Sequence, residues 1–258
     1  RSASCAAAHE IRYPISGLTP ALETRSPLPH NASAMRDEIH QHQNLLDLAI
    51  IIALVVCTFL RLNPAVTSTP FHRDEARWIG NSAILRDWRH PLSDRWQDEG
   101  YPVRYGTLDE ANRRRSQPPL AMYLIGIGIW LQGAGLPTNG YWIMSQDTDW
   151  NIDHGNMPSS EQLTAGRRTN LIVSILTVIL VYLIGRKVTN RIGGLVGALI
   201  YGMHPLVLVT GVRAWSDPLL GFLIAAATLT AIHFAQRPRW STAILLGVLL
   251  GLGGATKL

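Results

Sequence analysis

Five stretches of this chain are too apolar and too long to lie on the surface of a water-soluble domain. A bilayer core needs about 20 mostly apolar residues in a helix, within a range of roughly 17 to 25. Residues 45–62, 169–186, 192–212, 218–236 and 240–258 each meet that length. The averages conceal this: 47% of residues are hydrophobic, 16% are charged, and the mean hydropathy is only +0.11. The reason is a partition, with residues 1–43 and 61–117 rich in charge and residues 169–258 almost wholly apolar. That partition predicts an all-α, polytopic transmembrane bundle rather than a soluble core.

The net charge of +5 does not point to nucleic acid. The arginines flank apolar spans or sit in one long loop, and no basic stripe interleaved with aromatics exists. Bilayer orientation and lipid phosphate account for them better. Two cysteines, Cys5 and Cys57, imply no disulfide framework, and Cys57 inside an apolar run reads as a small packed residue. Residues 1–43 read as a disordered or cytoplasmic tail. Met35 opens "MRDEIHQHQNLLDLAI", which makes a sensible start, and "SPLPHNAS" lacks the apolar region of a cleavable signal. At the other end the chain stops in mid-pattern at "GLGGATKL", so the expectation is the N-terminal part of a longer membrane module, inactive by itself.

Charge fixes the expected topology. The connectors "RKVTNR" (186–191) and "QRPR" (236–239) are basic and should be cytoplasmic. With the N-terminus inside, both land inside only if "PPLAMYLIGIGIWL" (118–131) does not cross. Its apolar heart is about a dozen residues, the length of an interfacial helix. One helix therefore crosses outward, an outer loop (63–168) carries interfacial helices near 74–88 and 118–131, and four more spans follow with short connections. In the first span Asp47 suits the helix dipole and Arg61 can snorkel at the far end. A loop that long is unusual and points to function.

"FHRDEARW" (71–78) places Asp74, Glu75 and Arg77 where the first span leaves the membrane. Trp78, Ile79, Ala83, Ile84 and Leu85 follow at helical spacing, which predicts an amphipathic helix with Asp74 and Arg77 on one face. A solvated turn is the bland alternative. "RRRSQPPL" (113–120) sets three arginines at the mouth of the second interfacial helix, suited to lipid headgroups or to a lipid-linked phosphate. "VRAWSDPLL" (212–220) returns Arg213 and Asp217 to the same face, although Asp217 before Pro218 also suits a helix cap. Converging from separate segments, the carboxylates suit a general base and the arginines a phosphate leaving group.

Other signals are weaker. "DTDWNIDHG" (147–155) alternates acids like a calcium loop, but Gly155 comes one residue late and Ser160 occupies the twelfth position. His204 and His233, each alone in an apolar run, read as hydrogen-bonded packing residues. The glycine pairs at 193–194 and 253–254 suggest close helix packing.

In order, "DEAR", "QPPLAMYLIG", "AGRRTNLIVSILTVILVYLIGRKV", "GGLVGALIYGMHPLVLVTGVRAWSDPLL" and "GVLLGLGGATKL" resemble the N-terminal part of a GT-C glycosyltransferase over residues 44–258. The nearer group is the protein O-mannosyltransferase-like and aminoarabinose-transferase-like enzymes of prokaryotes. The resemblance implies transfer of a sugar from a polyprenyl-phosphate carrier to a protein, lipid or glycan acceptor outside the cytoplasmic membrane. It implies Asp74, paired with Glu75, as the base for the acceptor hydroxyl, Arg77 as a donor-phosphate contact, Arg167 as the arginine that opens the second span, and Asp217 as a lining of the same cavity. Where the aminoarabinose group has Lys before the proline, this chain has Gln117; either Arg115 substitutes or the donor headgroup differs. The protein-mannosylating group has "HPPL", so "QPPL" favours neither. Direct attack with inversion at the anomeric carbon is implied, with no covalent intermediate. No cofactor beyond the lipid-linked donor is implied, and a divalent cation has no support in the sequence. The rival class is a transporter or permease subunit, which would carry polar groups at mid-membrane and internal repeats; a non-catalytic scaffold is the third reading.

Overall fold

The computed structural model describes residues 30–89 and 117–257. It separates into two units, Arg1–Asn44 and Leu45–Leu258. The described part of the first is helical. The second holds everything that follows.

All regular structure among the described residues is helical. In chain order the elements are α1 (His30–Ser68), α2 (Arg73–Asn81) leading into a 3₁₀ segment (Ser82–Arg89), α3 (Pro119–Leu131), α4 (Thr148–Asp153), α5 (Ser160–Val188), α6 (Arg191–Met203), α7 (Pro205–Thr210), α8 (Asp217–Gln236) and α9 (Trp240–Lys257). Four are long and apolar enough to cross a membrane: Gln41–Ser68 within α1, α5, α8 and α9. Their flanks carry exposed Leu, Ile and Val, such as Leu60, Ile172, Ile224 and Leu250, which suits lipid and not water.

Helix α5 is the hub. Leu171 packs with Leu62, Ala65 and Val66 of α1 and with Val212. Val178 and Tyr182 pack with Leu54 of α1 and Ala198 of α6. Ala165 joins Ile79 of α2, Ile125 and Ile129 of α3 and Ala214. Helix α8 meets α3 through Leu219, Leu223 and Ala121. These contacts set the residues near 66–80, 121–132, 160–170 and 211–217 at one end of the bundle. At the opposite end, Asp47 accepts from Tyr182 (2.7 Å) and Arg191 (2.9 Å) and pairs with Arg186 (2.7 Å).

Several elements depart from their sequence-based outlines. Helix α1 begins at His30, ahead of the expected span, so residues 30–43 are helical, and Asp47 lies in mid-helix. Its partners are arginines rather than a helix dipole. Helix α5 begins at Ser160, earlier than 169, because Ser159 and Gln162 form a reciprocal capping box. The expected span 192–212 is two helices: Pro205 has no N–H to continue α6, and the residue before it, His204, is extended (φ −61°, ψ 132°). His204 Nδ1 accepts from Leu206 N and caps α7, while Arg61 donates to the freed carbonyl of Met203 at 2.7 Å. The pair still runs back along α5, since Gly194 touches Gly185 at one end and Ser174 Oγ donates to Gly211 O at the other. Cys57 is free and exposed, outside the packed stripe of Leu54, Thr58 and Leu62. Of the glycine pairs, Gly194 sits in tight helix contact and Gly253 faces open space. The interfacial helix expected over 118–131 is α3, with Pro118 at its N-cap.

Candidate functional site

The chain leaves α1 at Ser68 and turns at once into α2. His72 caps that helix: its Nδ1 accepts from Asp74 N, and its own N–H donates to Glu75 Oε2 at 3.1 Å. The capping box turns Glu75 inward and leaves Asp74 outward, so two adjacent acids meet opposite environments.

Glu75 is fully buried. Arg167 grips it from α5 with two parallel bonds, Nε to Oε1 and Nη2 to Oε2, both 2.8 Å. Arg213 approaches Oε2 at 3.4 Å, and Ala214 N donates to Oε1 at 3.1 Å. Arg167, itself 2% exposed, also donates to the carbonyls of Val66, Thr69 and Pro70. One carboxylate and one guanidinium therefore join the exit of α1, the start of α2, helix α5 and the 211–216 connector. Planar, bidentate pairing of this kind is what an arginine supplies and a lysine does not.

Below Arg167 the polar stripe of α5 continues. Asn170 donates to Arg213 O and Trp215 O, and Ser174 donates to Gly211 O. Arg167, Asn170 and Ser174 recur at i, i+3 and i+7, one face of the helix; Asn170 and Ser174 bond the Gly211–Ser216 connector directly, and Arg167 reaches it through Glu75. Sequence reasoning missed Asn170 and Ser174, although polar residues at helical spacing in an otherwise apolar span were a visible signal.

Asp74 differs. Its side chain is 39% exposed, and its carboxylate accepts no hydrogen bond among the described residues. Arg77 lies 3.8 Å away on the same face, and His72 Nδ1 lies 3.6 Å away. The latter is not a hydrogen bond, since Nδ1 already accepts from the Asp74 amide. Arg77 sits over the ring of Tyr141 at 5.5 Å, and its buried Nε has no partner among the described residues. Arg213 sits over Trp215 at 5.5 Å, and His72 meets the same indole edge-on. A half-open carboxylate thus stands beside the aromatic-backed guanidinium of Arg77, an arrangement suited to accepting a proton next to a site for an oxyanion.

The remaining sequence candidates fall elsewhere. Asp217 opens α8 but makes no cap; Ser216 holds that position, and Asp217 pairs with Lys257 of α9. Gln117 is half-buried just ahead of α3. Arg115 lies outside the described residues. Asp147 of the calcium-like stretch caps α4, accepting from Trp150 N at 2.7 Å.

Fold and site together define an integral membrane helical bundle with a paired-acid, arginine-rich centre at one end. Residues 149–258 match the family described as dolichyl-phosphate-mannose-protein mannosyltransferase. That match, with the four apolar helices, supports a membrane glycosyltransferase of the GT-C type. It spans Arg167, Arg213 and Asp217 and stops short of Asp74, Glu75 and Arg77. No curated protein and no solved structure matches the chain.

Proposed function

We propose that the chain transfers a sugar from a polyprenyl-phosphate carrier to a hydroxyl acceptor, on protein, lipid or glycan, at the outer face of the cytoplasmic membrane. The observation that carries this reading is the division of labour between adjacent acids. Glu75 is saturated by donors and holds the site together; Asp74 keeps its lone pairs for a proton.

In this scheme Asp74 draws the proton from the acceptor hydroxyl as it attacks the anomeric carbon. The carbon–phosphate-oxygen bond breaks, and the charge collects on the departing lipid phosphate. Arg77 and Arg213 stabilise that charge, assisted by Arg115 or Gln117 near the headgroup. Glu75 and Arg167 act as positioning residues. Asp217, paired with Lys257, is assigned no step in this scheme. The orientation is supported by the basic residues Arg186, Lys187, Arg191, Arg237 and Arg239, all at the end opposite Glu75, as expected of a cytoplasmic side. The broken helix pair α6–α7 is the one feature a transporter reading would claim. The Met203 carbonyl freed there accepts from Arg61.

Binding of a fluorescent polyprenyl phosphate to the protein in nanodiscs tests the leaving-group site. Arg77→Gln should weaken binding by about tenfold or more, the worth of a charge-assisted bond. Unchanged binding would remove Arg77 from the donor site.

A further inference from the structure

The end of the bundle opposite the proposed active centre contains two kinds of basic residue. Arg186 and Arg191 share the single carboxylate of Asp47, at 2.7 and 2.9 Å. Lys187, Arg237 and Arg239 do not. They line one open cleft of about 350 Å³, together with His233, Gln236 and Thr242. Among the described residues, no carboxylate lines it and none of the three cations makes an ion pair. Two of the remaining groups are committed internally: Thr242 Oγ1 donates to Arg239 O, and His233 Nδ1 sits 3.0 Å from Leu229 O.

The cations come from different parts of the chain. Lys187 lies in the last turn of α5, while Arg237 and Arg239 form the connector between α8 and α9. The fold thus gathers three positive charges at the ends of three apolar helices. Uncompensated charges held this close repel one another, and an anion between them relieves that repulsion. Trp240 beside the cleft is 86% exposed. An indole left open at the end of a span belongs at the headgroup level of a bilayer.

We propose that the cleft of Lys187, Arg237 and Arg239 binds the phosphodiester headgroup of an anionic phospholipid. The shared chemistry is a phosphate oxyanion, and the setting selects the lipid source: the cleft opens at the boundary where α5, α8 and α9 leave the hydrocarbon. The bound headgroup ties the α8–α9 connector to the end of α5.

Native mass spectrometry of the protein released from nanodiscs of mixed phosphatidylglycerol and phosphatidylcholine tests this. The wild type should retain phosphatidylglycerol in preference to phosphatidylcholine. The triple variant Lys187→Gln, Arg237→Gln, Arg239→Gln should lose that preference by about tenfold or more, since each cation near a charged membrane adds to attraction. Arg237→Lys with Arg239→Lys should keep it, which separates charge from fold. Arg168→Gln, at the other end of α5, should also keep it. Equal retention of the two lipids by the wild type, or undiminished preference in the triple variant, would overturn the proposal. So would displacement of the lipid by excess inorganic phosphate, which would mark a site for a soluble anion.

Discussion

Replacing Arg167 with Met should be the most damaging single change at the site that leaves the chain's apolar volume nearly intact. The variant strips two charge-assisted bonds of 2.8 Å from a carboxylate that has no exposure to water. Arg213 at 3.4 Å and two backbone donors remain, too little to replace a bidentate guanidinium. The carbonyls of Val66, Thr69 and Pro70 lose their donor as well. Removing one partner of a buried ion pair costs about 3–5 kcal/mol. At the usual entropy of a chain this size that corresponds to a fall in melting temperature of roughly 6–20 °C. The assay is thermal unfolding of the purified protein in detergent. The double variant Glu75→Leu, Arg167→Met removes both charges and should lose less than Arg167→Met alone. A loss under about 1 kcal/mol for the single variant, or a double variant that loses more than the single, would refute the reasoning.

Three further outcomes follow from local geometry. Gly194→Val should cost about 1–3 kcal/mol, because a Cβ there would sit 2.6 Å from Tyr182 O; thermal unfolding reads it. Gly197→Ala on the same helix, where a Cβ meets nothing within 4 Å, should be neutral or stabilise by up to about 1 kcal/mol. Arg61→Gln should open the α6–α7 junction by releasing Met203 O, seen as faster amide exchange at residues 204–208 with α5 unchanged.

Much of this architecture was legible in the sequence, and the failures have physical causes. The apolar run in α1, α8 and α9, the short helix after Pro118 and the amphipathic turn after His72 were all visible as length, proline placement and periodicity. The break at His204–Pro205 was equally visible in principle, but span length alone outweighed the proline. The early start of α5 was written in the Ser159–Gln162 pair, which lies before the apolar run and so outside a hydropathy window. The pairing of Asp47 with Arg186 and Arg191, far away in sequence, is tertiary and has no local signature, so the sequence alone points only to a helix dipole. Adjacency suggested that Asp74 and Glu75 act together; only the fold separates them, burying Glu75 under Arg167 and leaving Asp74 half-exposed. The Asn170–Ser174 stripe needed the partner loop to become meaningful.

Asp74, proposed as the base in sugar transfer from a lipid phosphate, is the residue to test first. Native membranes carrying the full-length protein, supplied with labelled polyprenyl-phosphate sugars, test it by comparing the wild type with Asp74→Asn. The substitution touches only the part-exposed contacts with Arg77 and His72, so folding should be unaffected to within about 1 kcal/mol. The account predicts transfer by the wild type and loss of transfer in Asp74→Asn at equal expression and equal melting temperature. Transfer that survives in Asp74→Asn would contradict it.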